Sequence, residues 1–257
     1  MSPAAQNVRN VIMNLSGVYS FMNMPTGVRI DCTDIEGCSC YCDSAAEAEI
    51  KSRMAEAVPG GAEGVHFIDS GDYHYITKFW TDRIREPFNL ILFDHHPDMQ
   101  NPEFPGFLSC GGWVREVMNN TYSRKILIAG ANPELSEEAL MAADRVWLID
   151  ERHITDDALG DALPFFDLTL PAYISIDKDV LDTEWARTDW DQGKMTLQML
   201  EAWLRQVFEK VRVIGVDICG ESPGLADELS DDWEVNSRTN VELFSYICIL
   251  YKMIGNE

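Results

Sequence analysis

The 257-residue chain predicts an α/β fold: a single three-layer α/β/α domain with helices on both faces of a mostly parallel sheet. Three observations carry that expectation. Apolar runs recur with helix-periodic stretches between them, the order that builds parallel sheets through crossover units. Polar clusters follow the apolar runs, where open α/β sheets gather their ligands. No low-complexity linker divides the chain, so residues 1–257 read as one domain.

Strands are expected over 8–13, 64–69, 89–94, 125–129, 145–149, 172–177 and 211–217, each a short apolar run. Helices are expected over 45–57, 77–84, 111–119, 136–143, 196–210 and 241–253, where apolar residues return three and four positions apart. Ser136 and Thr196 fit helix N-caps, while Asn132-Pro133-Glu134 and residues 102–106 carry turn chemistry.

Composition narrows the class. A hydrophobic content of 46% is enough for a full core, and no apolar stretch approaches the roughly 20 residues that span a bilayer. The first basic residue is Arg9 and no signal-peptide pattern precedes it, so a cytoplasmic protein is expected. Twenty basic against 43 acidic residues give a net charge of -23, which repels phosphate backbones and anionic lipid and excludes nucleic acid and membrane as partners. Seven cysteines without an export signal read as reduced thiols. Cys38, Cys40 and Cys42, with Cys32 nearby, alternate too closely for a Cys-x-x-Cys zinc knuckle.

Two acidic clusters concentrate the chemistry. Asp94-His95-His96-Pro97-Asp98 follows one expected strand, and Ser175-Ile176-Asp177-Lys178-Asp179 ends another. Residues two apart in an extended segment share a face, so Asp94, His96 and Asp98 can point one way, as can Asp177 and Asp179. His95 then faces the other side and reads as packing or as support for a ligand, not as a ligand. Four carboxylates on one patch repel and would protonate without a cation; a pair of divalent metals resolves the conflict. Carboxylate oxygens with a few imidazoles suit Mn²⁺, with Zn²⁺ or another divalent ion as the alternative. Three further polar groups follow other expected strands: Ser70-Gly71-Asp72-Tyr73-His74, Asp150-Glu151-Arg152-His153 and Asp217-Ile218-Cys219-Gly220-Glu221.

At these residues the sequence resembles the arginase family of ureohydrolases, which includes arginase, agmatinase and formimidoylglutamase. The family carries Gly-Gly-Asp-His, Asp-x-His-x-Asp and Ser-x-Asp-x-Asp-x-x-Asp segments in this order. Residues 94–98 and 175–182 supply the second and third, and Gly71-Asp72-Tyr73-His74 supplies the first with one residue inserted. The resemblance implies an arginase-like fold and two Mn²⁺ ions, one held by His74, Asp94, Asp98 and Asp177, the other by Asp94, His96, Asp177 and Asp179. It further implies a metal-bridging hydroxide that attacks a linear C–N bond of a guanidino or amidino substrate, either a small molecule or a peptide side chain, and assembly as a homo-oligomer. Glu221 is similar to the family's substrate-orienting glutamate and is assigned that role through a local bulge, because strict register places Gly220 there.

Two departures qualify the resemblance. The family's proton-shuttling histidine is replaced in the Ser109-Cys110-Gly111-Gly112-Trp113 segment, so protonation of the leaving group must come from Asp98 through water, come from another residue, or be slow. Gly130-Ala131-Asn132-Pro133 lacks the arginine and aspartate by which arginases read the substrate's α-amino group. The competing readings are a zinc deacetylase of acyl-lysine or acylpolyamine substrates on the same fold, and a non-catalytic metal-dependent module.

Overall fold

The structure, a computed structural model, describes residues 8–101, 104, 106–223 and 230–254. Among these residues the strands are β1 (Asn10–Asn14), β2 (Val28–Asp31), β3 (Tyr41–Cys42), β4 (Gly64–Phe67), β5 (Phe88–Phe93), β6 (Leu108–Ser109), β7 (Ser123–Ala131), β8 (Val146–Asp150), β9 (Ala172–Asp177) and β10 (Val213–Cys219). The helices are α1 (Ser44–Ala57), α2 (Ile76–Thr81), α3 (Trp113–Met118), α4 (Glu137–Met141), α5 (Ala158–Ala162), α6 (Leu197–Lys210) and α7 (Ser230–Ile254). Eight strands form one sheet in the order β2-β1-β4-β10-β9-β5-β7-β8. Every neighbouring pair in it is parallel. β3 and β6 form a separate antiparallel pair.

Period-two alternation splits the core into two layers. β5 sends Leu90 and Leu92 to one face and Ile91 and Phe93 to the other. Ile50 of α1, Trp80 of α2, Val114 of α3 and Ala139 of α4 cover the first face, whereas Leu159 of α5, Leu204 of α6 and Leu243 of α7 cover the second. That arrangement is the expected three-layer α/β/α domain. α6 illustrates why the helices form where they do. Its N-cap Thr196 accepts a hydrogen bond from the Met199 amide at 3.2 Å. Leu197, Leu200, Leu204 and Phe208 then recur on one buried face, where each large side chain contributes roughly 1.5 to 3 kcal/mol.

The expected strands and helices are all present, most with ends shifted by a few residues. α7 begins well before the expected start at 241, because Asn236, Thr239 and Asn240 are fully buried polar residues that give no apolar period. β2 was not foreseen because only Ile30 of its four residues is buried at the sheet edge. The pair β3 and β6 is too short to show alternation, and α5 too short to show helical period. Ser136 precedes α4 but does not cap it: its hydroxyl donates to the Asn132 carbonyl, and the Asn132 side chain caps the preceding turn. Of the expected turn at 102–106, residues 102, 103 and 105 lie outside the described residues. No helix among the described residues is long and apolar enough to cross a membrane, and the cysteines are unpaired.

β4, β10, β9 and β5 are neighbours at the centre of the sheet although they come from distant parts of the chain. Their carboxyl ends therefore open one crevice at the point where strand order reverses.

Candidate metal centre

Three loops bring the acidic clusters together. After β5, the Asp94 carboxylate accepts the His96 amide at 2.6 Å, which folds the chain back on itself. Asp98 then adopts a left-handed backbone, φ 49, rare for a residue with a side chain and concentrated at functional sites. After β9, the turn Lys178–Val180 starts when Asp177 Oδ1 accepts the Asp179 amide at 3.0 Å. The His95 amide donates to Asp179 Oδ1 at 2.9 Å and ties the two loops to each other. After β4, a single helical turn over Gly71–Tyr73 absorbs the inserted residue and delivers His74, whose amide donates to the Gly71 carbonyl.

The side chains converge. His74 Nδ1 lies 3.2 Å from Asp94 Oδ2, 3.1 Å from Asp98 Oδ2 and 3.4 Å from Asp177 Oδ2. Its other nitrogen sits 2.9 Å from the Ser175 hydroxyl, which donates to Asp217. That chain fixes the imidazole so that Nδ1 faces the carboxylates. His96 Nδ1 lies 2.8 Å from Asp179 Oδ2 and 3.7 Å from Asp94 Oδ1. Three groups result, His74 with Asp94 and Asp98, Asp94 with His96 and Asp179, and His74 with Asp177 and Cys219, each with ligand atoms within 4.8 Å of one another. Asp94 belongs to the first two. Asp177 joins them, with Oδ2 toward His74 and Oδ1 on the Asp179 amide.

These six side chains form the floor of a cavity of about 220 Å³. Cys40 and Tyr41 beside β3, Ser109 and Cys110 beside β6, Gln100 and Trp190 form its walls. Electrostatics favour a cation here. Asp94 Oδ2 is buried and has no hydrogen-bond partner. Burial and then the charge of Asp179 push the Asp177 carboxyl up; burial and then Asp94 push up Asp179; burial pushes up Asp98. Burial works against charging the two histidines, yet neighbouring carboxylates raise His74 well above the usual imidazole value and His96 to about 11. These shifts all favour positive charge among the carboxylates, which a bound cation would supply. An oxygen-rich donor set with two imidazoles fits hard divalent ions.

The structure thus brings together His74, Asp94, His96, Asp98, Asp177 and Asp179. It does not bring Glu221 to them. Glu221 is fully buried, its Oε1 lies 2.7 Å from Lys178 Nζ and accepts the Asn240 side-chain amide at 2.7 Å, and it is absent from the cavity lining. The expected bulge does not form, because the buried lysine ammonium draws the carboxylate inward. His95 is a packing residue, as its alternation implies. His66 stacks on Trp80 in the core, and exposed His153 pairs with Asp150.

Sequence reasoning passed over Trp113 as a ligand support, Cys219, and the cavity-wall residues Cys40 and Cys110, whereas Trp190 is among the tryptophans expected to line a pocket. Trp113 Nε1 donates to Asp98 Oδ2 at 2.6 Å. Register alone could have found Cys219, which pairs across the sheet with Asp177. Its thiol, pushed well up by burial, donates to the Ser70 carbonyl and stays protonated. Trp190 donates to Asp72 across a long sequence separation, and nothing local marks that contact. Cys38 and Cys42 are buried in the core, and no group of metal-ligating side chains among the described residues includes them or Cys40.

Comparison with known proteins places this geometry. An uncharacterised protein of Thermotoga maritima is 28% identical over 184 residues, 70% of this chain and 65% of that relative, so the chain spans less than two thirds of its length. The fold is that of formimidoylglutamase from Bacillus subtilis, with a TM-score of 0.68 and 18% identity over 95% of this chain and 88% of the other. It is also that of Trypanosoma cruzi formiminoglutamase, solved with Mn²⁺, with a TM-score of 0.67 and 13% identity over 98% and 96% of the two chains. The arginase-family model matches residues 5–241, and the chain belongs to the arginase family.

Proposed function

We propose that the protein is a binuclear manganese hydrolase that opens a linear C–N bond in a guanidino or amidino compound. The observation that carries this reading is the pair of ligand groups sharing Asp94 on the floor of one cavity. His74, Asp94, Asp98 and Asp177 would hold one ion, and Asp94, His96, Asp177 and Asp179 the other. When bound, two such ions acidify water and polarise the bond under attack.

The chain's own residues supply the rest. Ser175 and Asp217 hold the His74 ring so that it presents Nδ1. Asp98, buried and fixed by the Trp113 indole N–H, lies at the cavity floor, where its carboxylate can relay a proton through water to a leaving amine. Cys40, Cys110 and Trp190 give the cavity apolar walls that limit solvent around the reacting bond. The unpaired thiols support a reducing, cytoplasmic setting. A one-metal zinc deacetylase would leave His74, Asp98 and Asp179 without a task, so two ions are the better match.

The test is Mn²⁺ titration with product analysis on a panel of guanidino, amidino and acetylated amines. Two Mn²⁺ per chain with urea or ammonia release is the expected result. One Zn²⁺ per chain with acetate release would transfer the assignment to the deacetylase, and a protein that binds no divalent ion would end both.

A further inference from the structure

Lys178 stands between Asp177 and Asp179, and no part of its side chain reaches solvent. Its neighbours turn to the cavity while its own chain turns to α7. There Nζ lies 2.7 Å from Glu221 Oε1 and donates to Asn240 Oδ1 at 3.0 Å; Asn240 Nδ2 closes the triangle on Glu221 Oε1 at 2.7 Å. The triad joins the turn after β9, the exit of β10 and the middle of α7. Glu221 is anchored in turn by its amide on the Asp69 carbonyl and by a bridge to Ser70.

Gly220 completes the clamp from the other side. It sits at φ +88, and a Cβ there would lie 2.4 Å from Asp177 Oδ1 and 2.8 Å from the Lys178 amide. No side chain fits, so the backbone of the β10 exit rests directly on the Asp177 loop. A glutamate at 220 would push Asp177 out of place.

A buried ion pair is a poor source of stability, since desolvation offsets the Coulombic gain and apolar substitutes often do as well. This one is also incompletely satisfied: Glu221 Oε2 is buried with no partner. A costly feature placed between two candidate ligands calls for another reason, and local geometry supplies it. We propose that Lys178, Glu221 and Asn240 are positioning residues that set the spacing of Asp177 and Asp179 for a bound cation, and that Glu221 is thereby withdrawn from substrate recognition. This rests on the metal-centre reading above.

The experiment compares Mn²⁺ titrations of the whole protein, of Glu221→Gln, of Lys178→Met and of the charge-neutral pair Lys178→Met/Glu221→Gln, with circular dichroism to establish folding and a KM-against-kcat split on any accepted substrate. Each variant is expected to bind Mn²⁺ roughly 10-fold or more weakly, the range seen when support for a metal ligand is lost. The double variant should be no worse than the weaker single, because either change alone breaks the triad. Unchanged Mn²⁺ affinity in folded variants, with or without a raised KM, would overturn the proposal, as would a neutral pair that fails to fold at saturating Mn²⁺. An unmutated protein that binds no Mn²⁺ would instead overturn the metal-centre reading itself.

Discussion

Trp113 occupies the segment where the resemblance implies a proton-shuttling histidine, and it does a different job. Its indole N–H donates to Asp98 Oδ2 at 2.6 Å, and its ring tilts over His74 with 4.9 Å between centroids. It orients two candidate ligands and moves no proton. Trp113→Phe keeps most of the ring and deletes the donor, so Mn²⁺ affinity should fall roughly 10-fold. Stability should fall by about 1 kcal/mol through the lost hydrogen bond, read by urea unfolding. Affinity equal to that of the unmodified protein would show the bond to be idle. At this scale the sequence spoke clearly wherever function depends on short spacing. The spacing of Asp94, His96 and Asp98, and of Asp177 and Asp179, marks them as clusters, although a folded-back loop and a helical turn, rather than extended alternation, gather them. Glu221 lies off the cavity, held by Lys178 and Asn240, partners remote in sequence that only folding reveals.

The tips of the strands do more than end the sheet. Gly130, near the end of β7, sits at φ +106, and a Cβ there would lie 2.2 Å from a Val180 methyl and 3.2 Å from the Asp94 carbonyl. One glycine thus lets β7 pack against both ligand-bearing loops. Gly130→Ala adds a strained left-handed backbone to a steric clash, a combination worth about 1 to 3 kcal/mol. The clash should also displace the Lys178–Val180 turn and weaken Mn²⁺ binding. Urea unfolding and Mn²⁺ titration measure the two effects, and a variant with normal stability and affinity would remove β7 from the description of the centre. Elements long enough to complete a period, such as α6 and β5, were legible in the chain. The roof strands β3 and β6, each two residues long, were not, because two residues cannot display a repeat.

For the molecule as a whole, the proposed centre is expected to couple stability to pH and to metal. Asp177, Asp179, His74 and His96 all have pKa values raised by folding, so the native state binds more protons than the unfolded chain. Their contribution is greatest in acid and is lost as pH climbs from above 3.8, the ordinary value for Asp177, toward about 11, where His96 deprotonates. The net charge of -23 acts in the same direction through self-repulsion. Without metal, Tm should therefore decline between about pH 5 and 9. Mn²⁺ at roughly 100 times its Kd should restore about 2.7 kcal/mol, and its affinity should be higher at pH 8 than at pH 6 because protons compete for the ligands. Thermal melts with and without Mn²⁺ check this, and a Tm that rises with pH in metal-free protein would contradict it. The separate β3 and β6 ribbon has one more consequence. Part of the cavity wall hangs from a backbone hydrogen-bonded apart from the strands that bear the acids, so substitutions at Tyr41 or Ser109 can reshape the opening while the acidic floor keeps its place.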